Sequence, residues 1–260
     1  MSDNNKTVLI SGGASGIGRA IAEKFLASGA AVHVCDVDEE TLEEFSSANP
    51  GATTTMADIG SRENVDRIFT DLRQHHDHLD VLVNNAGIAG PTAPVEEHDE
   101  DAWEQCIRVN LSGTFYMTKR AVPLLRKAAN GAIINISSTA ALHGYPRRSA
   151  YAASKWAMIG LMKTWAMELG PEGIRVNAVC PTSVSGARID AVMARDAKQR
   201  GVPVEQIRDV YLRQTSMRTF ISPEEVADTV LFLASDSAKR ISGQAISVDG
   251  HTEGLSNWLD

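Results

Sequence analysis

The chain has 260 residues, 43% hydrophobic and 22% charged, with a formal net charge of -8. That balance suits a globular protein with enough apolar material for a sizeable core, and α/β chains of this length commonly form one domain. An acidic surface disfavours phosphate backbones, so nucleic acid is not an expected partner.

Short apolar runs alternate with longer amphipathic stretches. Thr7 to Ser11 reads as a strand entering a glycine-rich turn, and Ile17 to Ser28 as a helix stopped by Gly29. Ala31 to Cys35 is a second strand. Glu39 to Ser47 is a helix ended by Asn49-Pro50-Gly51, and Ala52 to Met56 a weaker third strand. Arg62 to Gln74 places Val65, Ile68, Phe69 and Leu72 on one helical face, ahead of a fourth strand at Leu79 to Val83. Glu100 to Ala129 reads as one long helical region. Pro123 is expected to bend it, because proline removes a backbone donor. Ala132 to Ser137 is a fifth strand, Ser149 to Leu169 a helix closed by Gly170-Pro171, and Ile174 to Cys180 a sixth strand. Thr182 to Thr219 is the least regular segment, polar, arginine-rich and broken by Gly201 and Pro203; such an excursion is expected to be a substrate lid or mobile loop. Ser222 caps a helix over Pro223 to Ala234, and Ala245 to Val248 is the last strand.

Strict alternation of strand and helix, with strands apolar on both faces, predicts a doubly wound parallel sheet. The expected fold is a three-layer α/β/α Rossmann fold in a single domain over residues 1–260, with a lid at about 182–219. No run approaches the ~18 consecutive apolar residues of a membrane span, and the polar stretch Met1 to Lys6 lacks the apolar core of a signal peptide. Cys35, Cys106 and Cys180 are odd in number and widely spaced. They indicate neither a disulfide framework nor a metal knuckle, and read as small buried hydrophobes. A reducing cytosol is the expected compartment.

The first strand runs through Gly12-Gly13-Ala14-Ser15-Gly16-Ile17-Gly18 straight into a helix. Glycines allow a tight turn and close approach to a pyrophosphate, and the helix N-terminus offers unpaired N–H groups. The spacing departs from G-x-G-x-x-G, so its position between strand and helix carries the reading. Asp36 ends the second strand, where a carboxylate can accept both ribose hydroxyls of NAD and would repel the extra phosphate of NADP. Tyr151 and Lys155 are four apart on a predicted helix and share a face. A free phenol titrates at about 10, and a neighbouring ammonium brings it into the range useful for acid–base work. Ser138 leaves the fifth strand at the sheet edge where ligands bind, placed to hydrogen-bond a substrate oxygen. These residues point to a nicotinamide-dependent oxidoreductase.

The same residues resemble the short-chain dehydrogenase/reductase family of the classical type. The likeness runs the whole chain: the Gly12/Gly16/Gly18 turn, Asn84-Asn85-Ala86-Gly87, Asn110, Ser138, Tyr151-x3-Lys155 and Pro181 occur in order. The resemblance implies a catalytic tetrad of Asn110, Ser138, Tyr151 and Lys155, in which Tyr151 is the acid or base, Lys155 also holds the nicotinamide ribose, and Asn110 positions a water. It implies cofactor contacts from Asp58 and Ile59 at the adenine, from Asn85, Ala86 and Gly87 along the wall, and from Pro181, Thr182 and Val184 at the nicotinamide. It further implies a homotetramer built partly through the helices carrying Asn110 and Tyr151. Two stretches depart from the family pattern. Pro181-Thr182-Ser183-Val184-Ser185-Gly186 replaces Pro-Gly-x-Val-x-Thr, leaving Ser185 or Ser183 to supply the missing hydroxyl. Asp249-Gly250-His251 replaces Asp-Gly-Gly, and the tail to Asp260 is expected near a neighbouring subunit's site.

The expected reaction is reversible oxidation of a secondary or sugar-like alcohol with NAD, and the expected partner a small-molecule alcohol or carbonyl. The rival readings are an NADPH-dependent carbonyl or 3-ketoacyl reductase, and a cofactor-binding regulatory protein without catalysis. No metal site is expected: Gln74-His75-His76-Asp77-His78 reads as a solvated helix end far from the ligand edge. His143, Arg147 and Arg148 lie where substrate would approach, and Arg188, Arg195, Arg200, Arg208, Arg213 and Arg218 lie in the lid. Some of these arginines either recognise a carboxylate, sulfonate or phosphate on the substrate or pair with Asp190, Asp196, Glu205 and Asp209.

Overall fold

The central strands of the protein, seen here in a computed structural model that describes residues 6–257 and 259, are sealed between two helical layers by their own alternation. In β1 (Thr7–Ser11), Val8 and Ile10 face one layer and Leu9 the other, and all three are fully buried. Val8 and Ile10 join Ile21 and Phe25 of α1 (Gly16–Ala27), Leu42 and Phe45 of α2 (Glu39–Ala48), and Val226 and Val230 of α9 (Pro223–Ala234) in one core. Leu9 joins Val65 and Phe69 of α3 (Arg62–His75), Met117 of α5 (Thr114–Leu125) and Met162 of α6 (Ser149–Leu169) in the other. Strands buried on both faces are the mark of parallel sheets covered by crossover helices.

The remaining strands are β2 (Ala31–Asp36), β3 (Thr53–Met56), β4 (Val81–Asn84), β5 (Ala132–Ile136), β6 (Arg175–Pro181) and β7 (Ala245–Val248). All pair in parallel in the order β3-β2-β1-β4-β5-β6-β7. The order reverses between β1 and β4, and the crevice beyond the carboxyl ends of those strands is where such sheets bind ligands. The expected single-domain Rossmann fold is therefore present.

Two expectations need correcting. The region Glu100 to Ala129 is one unbroken helical run, as expected, but it ends at Leu125 and its irregularity lies ahead of Pro123. It divides into α4 (Glu100–Ile107), a π-helical turn at Arg108–Gly113, and α5, which carries Pro123 within it. Gly113 makes the turn possible: a Cβ there would come within 2.8 Å of Ile59. Thr182 to Thr219 is not irregular. It folds as α7 (Ala187–Arg200) and α8 (Val204–Arg213), split by Gly201 at a left-handed φ of 67° and by Pro203. Val192, Met193 and Ala197 of α7 pack on Ile207 and Tyr211 of α8 in a small third core. The polar stretch Met1–Asn5, Trp258 and Asp260 lie outside the described residues. Among the described residues, no helix is long and apolar enough to cross a membrane.

Candidate active site

The turn after β1 is set by contacts that only glycine allows. A Cβ on Gly18 would lie 2.0 Å from the Gly12 carbonyl oxygen, and one on Gly12, at φ 62°, would lie 2.8 Å from the Ala86 Cα. Gly16 takes φ 52° with open space where a Cβ would point, which leaves a cradle at the helix N-terminus for a phosphate. Asn85 fastens the β4 exit to this turn: its Nδ2 donates to the Gly12 oxygen at 2.7 Å and to the Ser11 oxygen at 3.2 Å. Ser11 Oγ in turn accepts from the Asn85 and Ala86 amides at 3.1 and 3.2 Å.

From the turn opens a cavity of about 450 Å³ along the carboxyl edge of the sheet. Gly12, Ser15, Gly16 and Ile17 line its mouth. Asp36 lines the flank beside β2, held by donation from Val37 N at 2.8 Å and Ala14 N at 3.2 Å. Asp58 and Ile59 lie beside it, and Asn85, Ala86 and Gly87 form the wall. On the β6 side stand Pro181, Thr182 and Val184, with Ser138, Tyr151 and Lys155 between. Of the predicted catalytic and cofactor-binding residues only Gly18 and Asn110 do not line it; of the residues expected at the substrate approach, Arg148 lines it and His143 and Arg147 do not. Gly18 closes the turn from behind, and Asn110 stands behind Gly87, where a Cβ would come within 3.0 Å of its Oδ1.

The π-helical turn aims Asn110 inward, fully buried. Its Oδ1 accepts from Ile88 N at 2.7 Å, and its Nδ2 donates to Ile88 O at 3.0 Å and to Ser154 Oγ at 3.1 Å. Ser154 donates to the Tyr151 carbonyl at 2.7 Å. The carboxamide thus braces the cavity wall against the first turn of α6. Ser154 has no signal in the sequence beyond its place on the same helix.

Ser138 leaves β5 extended and caps a short 3₁₀ turn, its Oγ accepting from Ala140 N at 3.1 Å. Lys155 is 3% exposed, donates to Ile136 O at 2.8 Å and sits 5.7 Å from the Tyr151 ring centre. Burial alone would push the Tyr151 phenol up. Lys155, Arg188, a hydrogen bond with Ser138 and Arg148 together outweigh it and hold the phenol below its ordinary value. Burial lowers the Lys155 ammonium, with Tyr151 opposing and Arg188 adding to the fall. The lowered phenol is the group on this wall placed to exchange a proton with a bound hydroxyl.

The departures from the family pattern have local explanations. Gly186 takes φ 129° to start α7, a conformation in which threonine would be strained. Ser185 Oγ donates to Ile221 O at 3.3 Å, which engages that hydroxyl in the fold. His251 adopts φ 62° where the pattern has glycine, and its Nδ1 meets Ser216 Oγ at 2.6 Å. The tail returns over the chain's own cavity, which Leu255 lines. Tyr145, Gln214 and Leu255 are lining residues that the sequence did not single out. The histidine tract ends α3, where His78 pairs with Asp77 and Asp80. Among the described residues, no cluster of His, Cys, Asp or Glu is arranged to hold a metal ion.

Fold and site together define a dinucleotide-binding oxidoreductase. The family model described as "Enoyl-(Acyl carrier protein) reductase" matches residues 12–252. The chain belongs to the short-chain dehydrogenase/reductase family. It is 37% identical over 249 residues to the 3-oxoacyl-(acyl-carrier-protein) reductase FabG of Thermotoga maritima, covering 94% of this chain and 96% of that one. It is 35% identical to the 3beta-hydroxysteroid dehydrogenase of Mediterraneibacter gnavus, covering 95% and 94%. Carveol dehydrogenase from Mycobacterium avium, solved in complex with NAD, superposes with a TM-score of 0.90 at 26% identity, over 96% of this chain and 98% of that one.

Proposed function

We propose that this chain reversibly oxidises a secondary or sugar-like alcohol with NAD as the hydride acceptor. The observation that carries the reading is the placement of Tyr151, Ser138 and Lys155 on the wall of the cavity that opens from the Gly12–Gly18 turn. The residues fit a dinucleotide: an open cradle at Gly16, close approach at Gly12, and a fixed carboxylate at Asp36 where the ribose hydroxyls would lie. When bound, the nicotinamide supplies the acceptor for the hydride on the substrate carbon. Ser138 holds the substrate oxygen, Tyr151 takes the hydroxyl proton as the carbonyl forms, and Lys155 keeps the phenol acidic and reaches the nicotinamide ribose. Run in reverse, Tyr151 donates that proton.

Asp36 supports NAD over NADP, and the NAD-bound state of the carveol dehydrogenase structure agrees with that preference. The helix pair α7–α8, with its own small core beside the cavity, is the proposed lid. Trp103 on α4, Phe115 on α5, and Trp156 and Met167 on α6 are exposed apolar residues that support the homotetramer through these helices.

The test is a panel of secondary alcohols and sugar alcohols, followed by nicotinamide absorbance with each coenzyme. Turnover with NAD on at least one alcohol class is expected. The similarity to FabG favours a second reading, a carbonyl reductase using NADPH; faster 3-ketoacyl reduction with NADPH than any oxidation with NAD would select it.

A further inference from the structure

We propose that Arg148 and Arg188 form an anion subsite that recognises a carboxylate or sulfonate carried by the alcohol substrate; this rests on the dehydrogenase reading above. Arginine is rarely buried without a charged partner. Arg148 is only 4% exposed and lines the cavity. Its Nη2 donates to Ala89 O at 3.0 Å, while its Nε finds no hydrogen-bond partner among the described residues. The guanidinium lies 5.3 Å from the Tyr145 ring centre and 5.0 Å from that of Tyr151, which places it beside the reacting phenol.

The carboxylates among the lining residues are Asp36 and Asp58, both at the proposed adenosine end. At the Tyr151 end the charged lining residues are Arg148, Lys155 and Arg188, all cationic. Arg188 comes from the first turn of α7, and its charge reaches both Tyr151 and Lys155. The other lid arginines are treated differently. Arg200 pairs with buried Asp196 at 2.8 Å, and Arg208 stacks 4.6 Å from the Phe220 ring centre. Arg218 lies 3.9 Å from Glu253, and of the arginines named from the sequence it is Arg148 and Arg188 that line the cavity. Two guanidinium forks offer planar donors matched to a carboxylate or sulfonate, and such an anion supplies the negative charge that the buried Arg148 lacks. Ile189, Val192 and Leu255 supply an apolar lining for the remainder of the molecule.

Two measurements test this. In the first, butyrate, propanesulfonate and uncharged butyramide are titrated into the NAD-loaded protein and thermal melting is followed, with chloride at matched ionic strength as the control. Butyrate and propanesulfonate should raise the melting temperature and butyramide should not. Arg188→Gln and Arg148→Gln should each raise the anion concentration at half-effect about tenfold or more. In the second, 3-hydroxybutyrate is compared with its methyl ester as substrate. The acid-to-ester ratio of kcat/KM should fall about tenfold in Arg188→Gln, a ratio from which any shared effect on Tyr151 cancels. Arg188 is exposed, so this variant tests the idea even if the Arg148 variant folds poorly. Equal responses to butyrate and butyramide, or an unchanged ratio, would overturn the subsite. Turnover of neutral alcohols without any anion response overturns the subsite alone. An intact anion response with no alcohol turned over supports the subsite and overturns the dehydrogenase reading.

Discussion

Replacing Asp36 with alanine should change which dinucleotide the protein uses. The carboxylate is fixed by Val37 N at 2.8 Å and Ala14 N at 3.2 Å, so it cannot swing away from an incoming group. Two unit charges at about 4 Å repel by about 1 kcal/mol in water and about 4 kcal/mol at an effective dielectric of about 20. Asp36 is half-buried, between those limits. A 2′-phosphate carries about -1.5 to -2 charge, so a penalty of about 3 kcal/mol against NADP is a fair central value, roughly a hundredfold. The lost ribose hydrogen bonds to a charged acceptor cost NAD about 1.5–3 kcal/mol in the variant. The assay is kcat/KM for NAD and NADP at low ionic strength with one fixed alcohol, since salt screens the repulsion. The two effects add, so wild type should prefer NAD by about 10³- to 10⁴-fold, and Asp36→Ala should bring the two within about tenfold, losing on NAD and gaining on NADP. Equal use of both coenzymes by wild type, or an unchanged ratio in the variant, would refute the reasoning.

Gly18→Ala should destabilise the protein by about 1–3 kcal/mol or more, because its Cβ would lie 2.0 Å from the Gly12 oxygen and the backbone must move; thermal melting and nucleotide titration should both register it. Burial pushes His33 down to about 4 from 6.5, with Asp71 opposing and His75 and His76 adding to the fall. The unfolded chain therefore takes up the proton first, and stability present above pH 6.5 is lost as pH falls toward 4, by up to about 3 kcal/mol; urea midpoints should follow that slope, and His33→Gln should flatten it. Lys155→Met should leave burial of the Tyr151 phenol less opposed, so the acid limb of kcat/KM for oxidation should move to higher pH.

Much of this architecture was legible because it depends on local patterning. The runs at Thr7–Ser11 and Ala132–Ile136 are apolar on both faces, and a strand of that kind has to lie inside a covered parallel sheet. Tyr151 and Lys155 could be paired because four residues is one helical turn. The π-helical turn at Arg108–Gly113 was not legible, since its extra residue depends on Gly113 fitting against Ile59, fifty-odd positions earlier in the chain. The helices of the excursion carried a signal in Val192, Met193 and Ala197 and in Ile207, Val210 and Tyr211, but charged residues between them masked the apolar face. Burial of Arg148 has no sequence signature, because arginine is exposed by default and only the packing of Tyr145 and Tyr151 around it encloses it.

The most direct test of the account is Tyr151→Phe. Nucleotide binding followed by fluorescence should be retained, because the phosphate turn and Asp36 are untouched, while alcohol oxidation should fall by about 10²- to 10⁴-fold across the pH range. Oxidation within a few-fold of wild type in a variant that still binds the nucleotide would contradict the assignment of the proton transfer to the Tyr151 phenol.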